Sequence, residues 1–553
     1  MEDQAHPHID SSIGEYLISR LQDYGVRDIF GIPGDYVLSF YSMLEESPLN
    51  VVGCTREDCA GFAADAYARI NGMGAVCVTY CVGGLSVCNS IAGAYAEKSP
   101  VVVISGSPGL NERDNNPLLH HKVRDFRTQA DVFEKLCVAG AVLSDPPVAK
   151  REIDRVLDAA DRFKRPVYLE IPRDMVHSRP SKSFPYQRHP HDSNPKSLAE
   201  AVTEATELIT NSHNPVILAG IEIHRFGLQD QLLTLAEGAN IPIAATVLSK
   251  SVVKETHPLY IGLYEGAMGR EEVTKFVEES DCIILLGTFM TDVNLGVYSA
   301  KLDPACCIYA TSEQLRIHHH HYHNVSLGDF IGALCEQHVS PRPRTIDPPS
   351  SSNLPDYQME FDKPITISQL VQRVNQQLDD DTIVICDIGD ALLASTELVT
   401  HERTEFISPA YYTSMGFAIP ATLGAMIAEP TRHVLAICGD GAFQMTGMEL
   451  SNIVKRGLSP TIIVLNNGGY GTERYLHPGN WEFNEIHNWQ YHRLTEVLGG
   501  GRGYDIETEG EFDAALEQAW HDNSGPNILN VHLQKEDASQ TLTRLAERLR
   551  ERV

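Results

Sequence analysis

Short apolar runs rich in Val, Ile and Leu recur along this chain, and each is followed by a stretch of helical periodicity. The first third carries "DIFGIPG", "NVVGCT", "AVCVTY", "PVVVISG" and "PVYLEIP". The middle carries "PVILAG", "IPIAAT", "CIILLGT" and "CCIYA", and the last third "TIVICDIG", "HVLAIC", "TIIVLNN" and "NILNVHL". Runs of this kind are strands buried on both faces, and their alternation with helices predicts largely parallel sheets wrapped by helices. Two segments rich in Pro, Ser and charge, 178–196 and 339–357, read as linkers. At 553 residues the chain exceeds what one hydrophobic core organises. The reading is α/β, three doubly wound domains with mainly parallel sheets, at 1–185, 196–342 and 358–553.

A formal charge of -30 argues against a nucleic acid or an anionic membrane as partner. The N-terminal "MEDQAHPHIDSSIGEYL" has no basic region followed by an apolar stretch, and no window reaches the ~18 apolar residues of a membrane span. The 12 cysteines form no CxxC pair and mostly sit inside apolar patterns. They read as small buried hydrophobes in a reducing cytoplasm.

The segment "GDGAFQMTGMELSNIVKRGLSPTIIVLNNGGYGTERY", 439–475, carries the chemistry. Residues 445–456 read as a helix between the strands "HVLAIC" and "TIIVL", which makes a β–α–β unit. Asp440 and Asn467 then lie just past strand ends, where parallel sheets place their ligands. A hard divalent cation such as Mg²⁺ takes oxygen ligands in near-octahedral geometry, often shared with a diphosphate. Asp440 offers a carboxylate, Asn467 an amide oxygen, and Gly469 a backbone carbonyl in a turn that glycine permits. Gly439 and Gly441, with Ala442 beside them, let phosphates approach the backbone at a helix N-terminus. A tight turn with an Asx cap is the ordinary alternative, and the spacing to the asparagine pair favours the metal–diphosphate site.

On these residues the chain resembles the thiamine diphosphate enzymes, and the remainder resembles their pyruvate/indolepyruvate decarboxylase branch. The resemblance covers nearly the whole chain and includes "GIPGDYVLSFY", "REDCAGFAADAYAR", "VTYCVGGLSVCNSIAGAYAEKSPVVVISG", "LLHH", "GYGTERYLH" and "FNEIHNW". It implies pyrimidine, middle and diphosphate domains, with thiamine diphosphate and Mg²⁺ as cofactors. It also implies a homodimer or homotetramer with active sites at the subunit interface. The implied reaction is non-oxidative decarboxylation of a 2-oxo acid to an aldehyde and carbon dioxide. Two alternatives stay open, a carboligase of the acetolactate-synthase kind and a non-catalytic family member.

Residue by residue, the resemblance implies that Glu57, opening the helix after "NVVGCT", hydrogen-bonds the aminopyrimidine and drives cofactor ionisation. A carboxylate among small apolar residues is expected to have a raised pKa suited to that role. Asp35, His120 and His121 match the set that supports proton transfer to the product, and Glu473 matches the residue that orients the substrate carboxylate. Met415, with Thr413 two residues before it, matches the bulky side chain that bends the cofactor.

The departures carry information too. Lys122 and Arg124 stand in "KVRDF", where the family has a Gly-rich loop, and add charge near the mouth. Glu222 stands at the position of the regulatory cysteine of yeast-type enzymes, so activation through that thiol is expected to be absent. Of the pocket positions Thr79, Val293, Leu392, Tyr412, Thr472 and Leu476, Leu392 replaces a Trp and Val293 a Tyr. Thr472 and Leu476 replace isoleucines, while Tyr412 stays bulky. A wider pocket predicts a preference for aromatic or branched 2-oxo acids over pyruvate. The run "RIHHHHYHN", 316–324, lies away from the cofactor segments and reads as an adventitious metal binder. The tail "SQTLTRLAERLRERV" reads as an amphipathic helix, which in the family helps cover the active site.

Overall fold

Each predicted apolar run becomes a strand in the computed structural model, which describes residues 10–182, 184–188, 192–337, 339, 343–350, 357–401 and 405–549. The first sheet contains β1 (Asp28–Gly31), β2 (Asn50–Gly53), β3 (Gly74–Val78), β4 (Val101–Ser107), β5 (Ala139–Val142) and β6 (Val167–Pro172). Its order is β2-β1-β3-β4-β6-β5, and every pairing is parallel.

The middle sheet contains β7 (Pro215–Ala219), β8 (Ile243–Ala245), β9 (Tyr260–Leu263), β10 (Cys282–Leu286), β11 (Cys307–Ala310), β12 (Leu315–Ile317) and β13 (His320–Tyr322). Its order is β13-β12-β11-β10-β7-β8-β9, and only the β11–β12 and β12–β13 pairings are antiparallel. The third sheet contains β14 (Thr382–Cys386), β15 (Glu405–Ile407), β16 (His433–Gly439), β17 (Thr461–Asn466), β18 (Arg502–Ile506) and β19 (Asn527–His532). It runs β15-β14-β16-β17-β19-β18 and is all parallel.

The chain forms two compact units. One holds the first sheet and gathers residues 1–189, 419–431 and 446–456. Its core packs Leu17, Phe40, Val102, Ile104, Val156 and Leu169 around the strands. The other unit holds the middle and third sheets. Ile217, Ile284, Phe330 and Leu334 lie on one face of the middle sheet, and Val216, Leu218, Phe276 and Leu285 on the other. Val371, Val384, Leu435, Ile463, Phe512 and Leu529 build the core of the third.

The expected helix at 445–456 takes a different form. One helix starts directly at Asp440 and ends at Thr446, a 3₁₀ turn occupies Gly447–Glu449, and a second helix runs Leu450–Lys455. The break falls where the chain leaves one unit for the other, so the two pieces serve different cores. Glu449, fully buried in the first unit, accepts hydrogen bonds from the Thr55 backbone (3.0 Å) and hydroxyl (2.5 Å). Parts of both expected linkers, 189–191, 340–342 and 351–356, lie outside the described residues, as do 1–9 and the end of the tail at 550–553. Among the described residues no helix is long and apolar enough to cross a membrane.

Candidate active site

Strand order locates the ligand-binding ends. In an open parallel sheet the strand order reverses at one point, and the loops leaving the strands there form a crevice. In the first sheet this point lies between β1 and β3, and in the third between β14 and β16. Asp35, Thr79, Leu392 and Asp440 follow these strands, while Glu57 follows β2 and Asn467 follows β17.

In the first unit, β1 leads into Gly34 and Asp35, and β3 leads into Thr79. A Cβ on Gly34 would sit 2.5 Å from that of Thr79, so only glycine lets the two loops approach. Thr79 is buried, and its hydroxyl has no hydrogen-bond partner. His120 Nε2 lies 2.7 Å from Asp35 Oδ2, and its ring stacks on Tyr36 at 4.7 Å. His121 meets His120 edge-on at 4.8 Å and adopts a left-handed φ of 64°, a conformation that costs a non-glycine residue free energy. Ligand atoms of Asp35, His120 and His121 all lie within 4.8 Å of one another.

Three residues that the sequence reading passed over frame this cluster. The Tyr36 hydroxyl donates to the His120 carbonyl at 3.3 Å, and burial raises its pKa, with Asp35 adding to the effect. Arg173 packs its guanidinium over Tyr36 at 5.1 Å, reaches within 3.9 Å of Asp35, and pairs with Glu112. That pairing holds the Glu112 carboxyl below the usual range. Lys122 points back into its own loop, donating to the carbonyls of Asn116 and Pro117 and lying over the Phe126 ring. Arg124 is exposed. Glu57 opens the helix Glu57–Asn71 as expected, with Gly83 close to its Oε1, but its side chain is half-buried rather than enclosed.

In the second unit, Asp440 is buried and its carboxylate draws the glycine loop around itself. Oδ1 accepts from Gly441 N (2.7 Å), and Oδ2 accepts from Gly468 N (2.7 Å) and Gly469 N (3.1 Å). Burial pushes its pKa up to about 6 despite those three donors. Arg474 clamps the same loop from outside, donating to the carbonyls of Asn467 (3.0 Å) and Gly468 (2.9 Å). Asn467 Oδ1 is buried with no hydrogen-bond partner, an acceptor that a cation could satisfy. Glycine is required at 469, where φ is 154° and a Cβ would strike the Asn484 carbonyl at 1.9 Å. A carboxylate, an orphaned amide oxygen and a turned-in glycine loop fit a hard cation with a diphosphate.

These groups open into a cavity of about 540 Å³. It brings together Val293, Leu392, Thr413, Met415, Gly439, Asp440, Gly441, Ala442, Asn467, Gly469, Thr472, Glu473 and Leu476, as the sequence reading grouped them. Of the expected pocket positions, Tyr412 is partly exposed and outside the lining, and Thr79, which belongs to the first unit, is not among the lining residues either. Leu545 and Leu549, on the helix Gln540–Leu549, also line it, so the tail helix is part of the wall. Asp390 fixes the start of that helix by accepting from the backbone and hydroxyl of Ser539. Asp387, just past β14, accepts from Gly416 N (3.1 Å) and Ala418 N (2.9 Å) and so holds the turn that presents Met415. An acidic residue past a strand end is the same signal that marked Asp440, and it could have found Asp387.

Comparison with known proteins agrees with this geometry. The N-terminal binding, central and C-terminal binding domain models of the thiamine pyrophosphate (thiamine diphosphate) enzymes match residues 11–130, 202–337 and 387–531. The chain belongs to the thiamine pyrophosphate enzyme family. It is 34% identical to an indole-3-pyruvate decarboxylase of Azospirillum brasilense, over 97% of this chain and 98% of that protein. It is 33% identical to an alpha-keto-acid decarboxylase of Mycobacterium tuberculosis strain H37Rv, over 92% of each chain. A Schizosaccharomyces pombe protein named "Probable pyruvate decarboxylase" is 30% identical over 96% of this chain and 95% of its own. The three-sheet α/β architecture is that of a thiamine pyrophosphate enzyme with both cofactor-binding domains present.

The remaining expectations resolve locally. Glu222 is fully buried and accepts from the Ser312 backbone (2.7 Å) and hydroxyl (2.6 Å), which makes it a brace for the turn after β11. The histidine run forms the β12–β13 hairpin, where His320 Nδ1 lies 3.0 Å from Glu204. All 12 cysteines are free thiols, and eight are buried.

Proposed function

We propose that this protein is a thiamine diphosphate- and Mg²⁺-dependent carboxy-lyase that converts a 2-oxo acid to an aldehyde and carbon dioxide, favouring aromatic or branched acids. The observation that carries the reading is the Asp35–His120–His121 cluster, an acid–imidazole group beyond what cofactor binding itself needs. When bound, thiamine diphosphate supplies the nucleophilic carbon and the electron sink for decarboxylation. Asp440, Asn467 and the Gly469 carbonyl would hold Mg²⁺ and the diphosphate, and Glu57 would hold the aminopyrimidine.

The chain's own residues then divide the work. Glu473 orients the substrate carboxylate at the cavity mouth. The His120 Nε2–H donates to Asp35, which fixes the tautomer and orients the ring. His121, held in its strained backbone conformation, presents a second imidazole beside it. The apolar wall of Val293, Leu392, Leu476, Leu545 and Leu549 leaves room for an indole or phenyl group and excludes water from the reacting carboxylate. Active sites are shared between subunits of a homodimer or homotetramer located in the cytoplasm.

Product analysis tests the reaction class. Holoenzyme given phenylpyruvate should release phenylacetaldehyde and carbon dioxide in equal amounts. A carbon–carbon bonded hydroxyketone as main product would replace this reading with carboligation.

A further inference from the structure

A second cavity, of about 450 Å³, lies in the unit that holds the middle and third sheets. Its walls come from the end of β9 and the residues that follow, from Thr396–Val399, and from the tail helix. Five carboxylates line it, those of Glu255, Glu265, Glu271, Glu272 and Glu397, against the cations Arg270 and Arg544.

Two of the five are already neutralised. Glu255 accepts from Lys250 Nζ (2.7 Å) and the Tyr260 hydroxyl (2.8 Å), and Glu272 pairs with Arg270 at 2.7 Å. Arg544 spends donors on the carbonyls of Met268 (3.4 Å) and Gly269 (3.1 Å). Glu265 is different. It is only 4% exposed, lines the cavity, and its Oε1 has no hydrogen-bond partner. An acceptor desolvated in this way is costly unless a donor reaches it.

We propose that this cavity binds a small organic ammonium ion, a protonated alkyl amine or diamine, with Glu265 and Glu397 as its carboxylate partners. Charge sets the sign of the ligand, because the cations acting on Glu265 are Lys250, already paired with Glu255, and Arg544, which is also the one acting on Glu397. Size sets its class. No three acidic or imidazole groups here converge closely enough to hold a bare metal ion, among the described residues. Leu263, Leu398 and Val399 offer apolar contact for methylene groups between the charged ends.

The carboxyl of Glu265 is pushed up to about 7 by burial, with Glu397 adding to the rise and Lys250 and Arg544 opposing it. A bound ammonium would stabilise its ionised form, so amine affinity should increase as pH rises through 7. The proposal does not depend on the assigned reaction.

The test is calorimetric titration of the holoenzyme, saturated with thiamine diphosphate and Mg²⁺, with 1,4-diaminobutane at pH 8. The expected result is saturable binding of one diamine per chain, weakened at least tenfold in both Glu265→Gln and Glu397→Gln. The exposed variant Glu496→Gln should bind as the parent does. Glu397 is less buried than Glu265, so its variant keeps the test open if Glu265→Gln fails to fold. Absence of saturable binding, or binding unchanged in a folded Glu265→Gln or Glu397→Gln protein, would overturn the proposal and leave a water-filled cavity.

Discussion

Replacing Arg474 by methionine should loosen the glycine loop that carries the candidate metal ligands. The Arg474 side chain is 12% exposed, and its guanidinium donates to the carbonyls of Asn467 and Gly468 at 3.0 and 2.9 Å. It also reaches the Asn484 carbonyl at 3.4 Å and pairs with Glu485 at 3.2 Å. Hydrogen bonds from a charged donor contribute about 1.5–3 kcal/mol each, and truncation strands the acceptors. Methionine keeps much of the stem packing, so a net loss of about 3 kcal/mol is expected for Arg474→Met.

Urea unfolding followed by tryptophan fluorescence reads this directly, because Trp481, Trp489 and Trp520 all lie in the diphosphate-domain segment. Thiamine diphosphate with Mg²⁺ should also bind at least about tenfold more weakly, equivalent to ~1.4 kcal/mol of the loss acting on the loop. An Arg474→Met protein with the parental midpoint and the parental cofactor affinity would refute the clamp.

Leu392→Trp should narrow the cavity at a cost of about 1–3 kcal/mol in packing. Its kcat/KM for phenylpyruvate should fall at least ~100-fold further than that for pyruvate, since volume exclusion discriminates by about that much; equal losses would remove Leu392 from specificity. Asp387, buried behind the Met415 turn, has a carboxyl pushed from 3.8 up to about 6 by burial. Its native state therefore holds a proton that the unfolded chain has released between those values. Unfolding free energy should fall as pH rises from about 4 to 6, by up to ~3 kcal/mol from this group. Urea midpoints across that range should show a flatter slope for Asp387→Asn, and an unchanged slope would contradict the assignment. His120→Gln should slow aldehyde release at least ~100-fold while leaving cofactor binding within about twofold, as general acid–base roles require; a fall in cofactor affinity instead would make His120 structural.

The strands legible in the sequence are the central ones of each sheet, together with β2 at one edge of the first. β5, β9, β12, β13, β15 and β18 went unpredicted, and they form the sheet margins. A central parallel strand is covered on both faces and reads as an unbroken apolar run, whereas β13 and β18 are largely exposed or half-exposed and carry polar residues such as His320, Arg502 and Asp505. The histidine run illustrates the cost, because a hairpin was hidden inside a composition that suggested only metal affinity.

The cofactor cradle was legible because its residues cluster in one segment, and backbone geometry at Gly441 and Gly469 restricts what can stand there. Arg474, Tyr36 and Arg173 were not, because each acts on residues or carbonyls that only the fold brings near. Lys122 shows the reverse error. Read as charge near the mouth, it is instead consumed by its own loop, since the Asn116 and Pro117 carbonyls needed a donor.

The most direct test of the account is aldehyde release from a panel of pyruvate, a branched 2-oxo acid, phenylpyruvate and indolepyruvate, with thiamine diphosphate and Mg²⁺ present. Glu57→Gln serves as the control. The account predicts aldehyde from the larger acids, faster than from pyruvate, and its loss in Glu57→Gln with the protein still folded. No aldehyde from any of the four acids, with cofactor demonstrably bound, would contradict it.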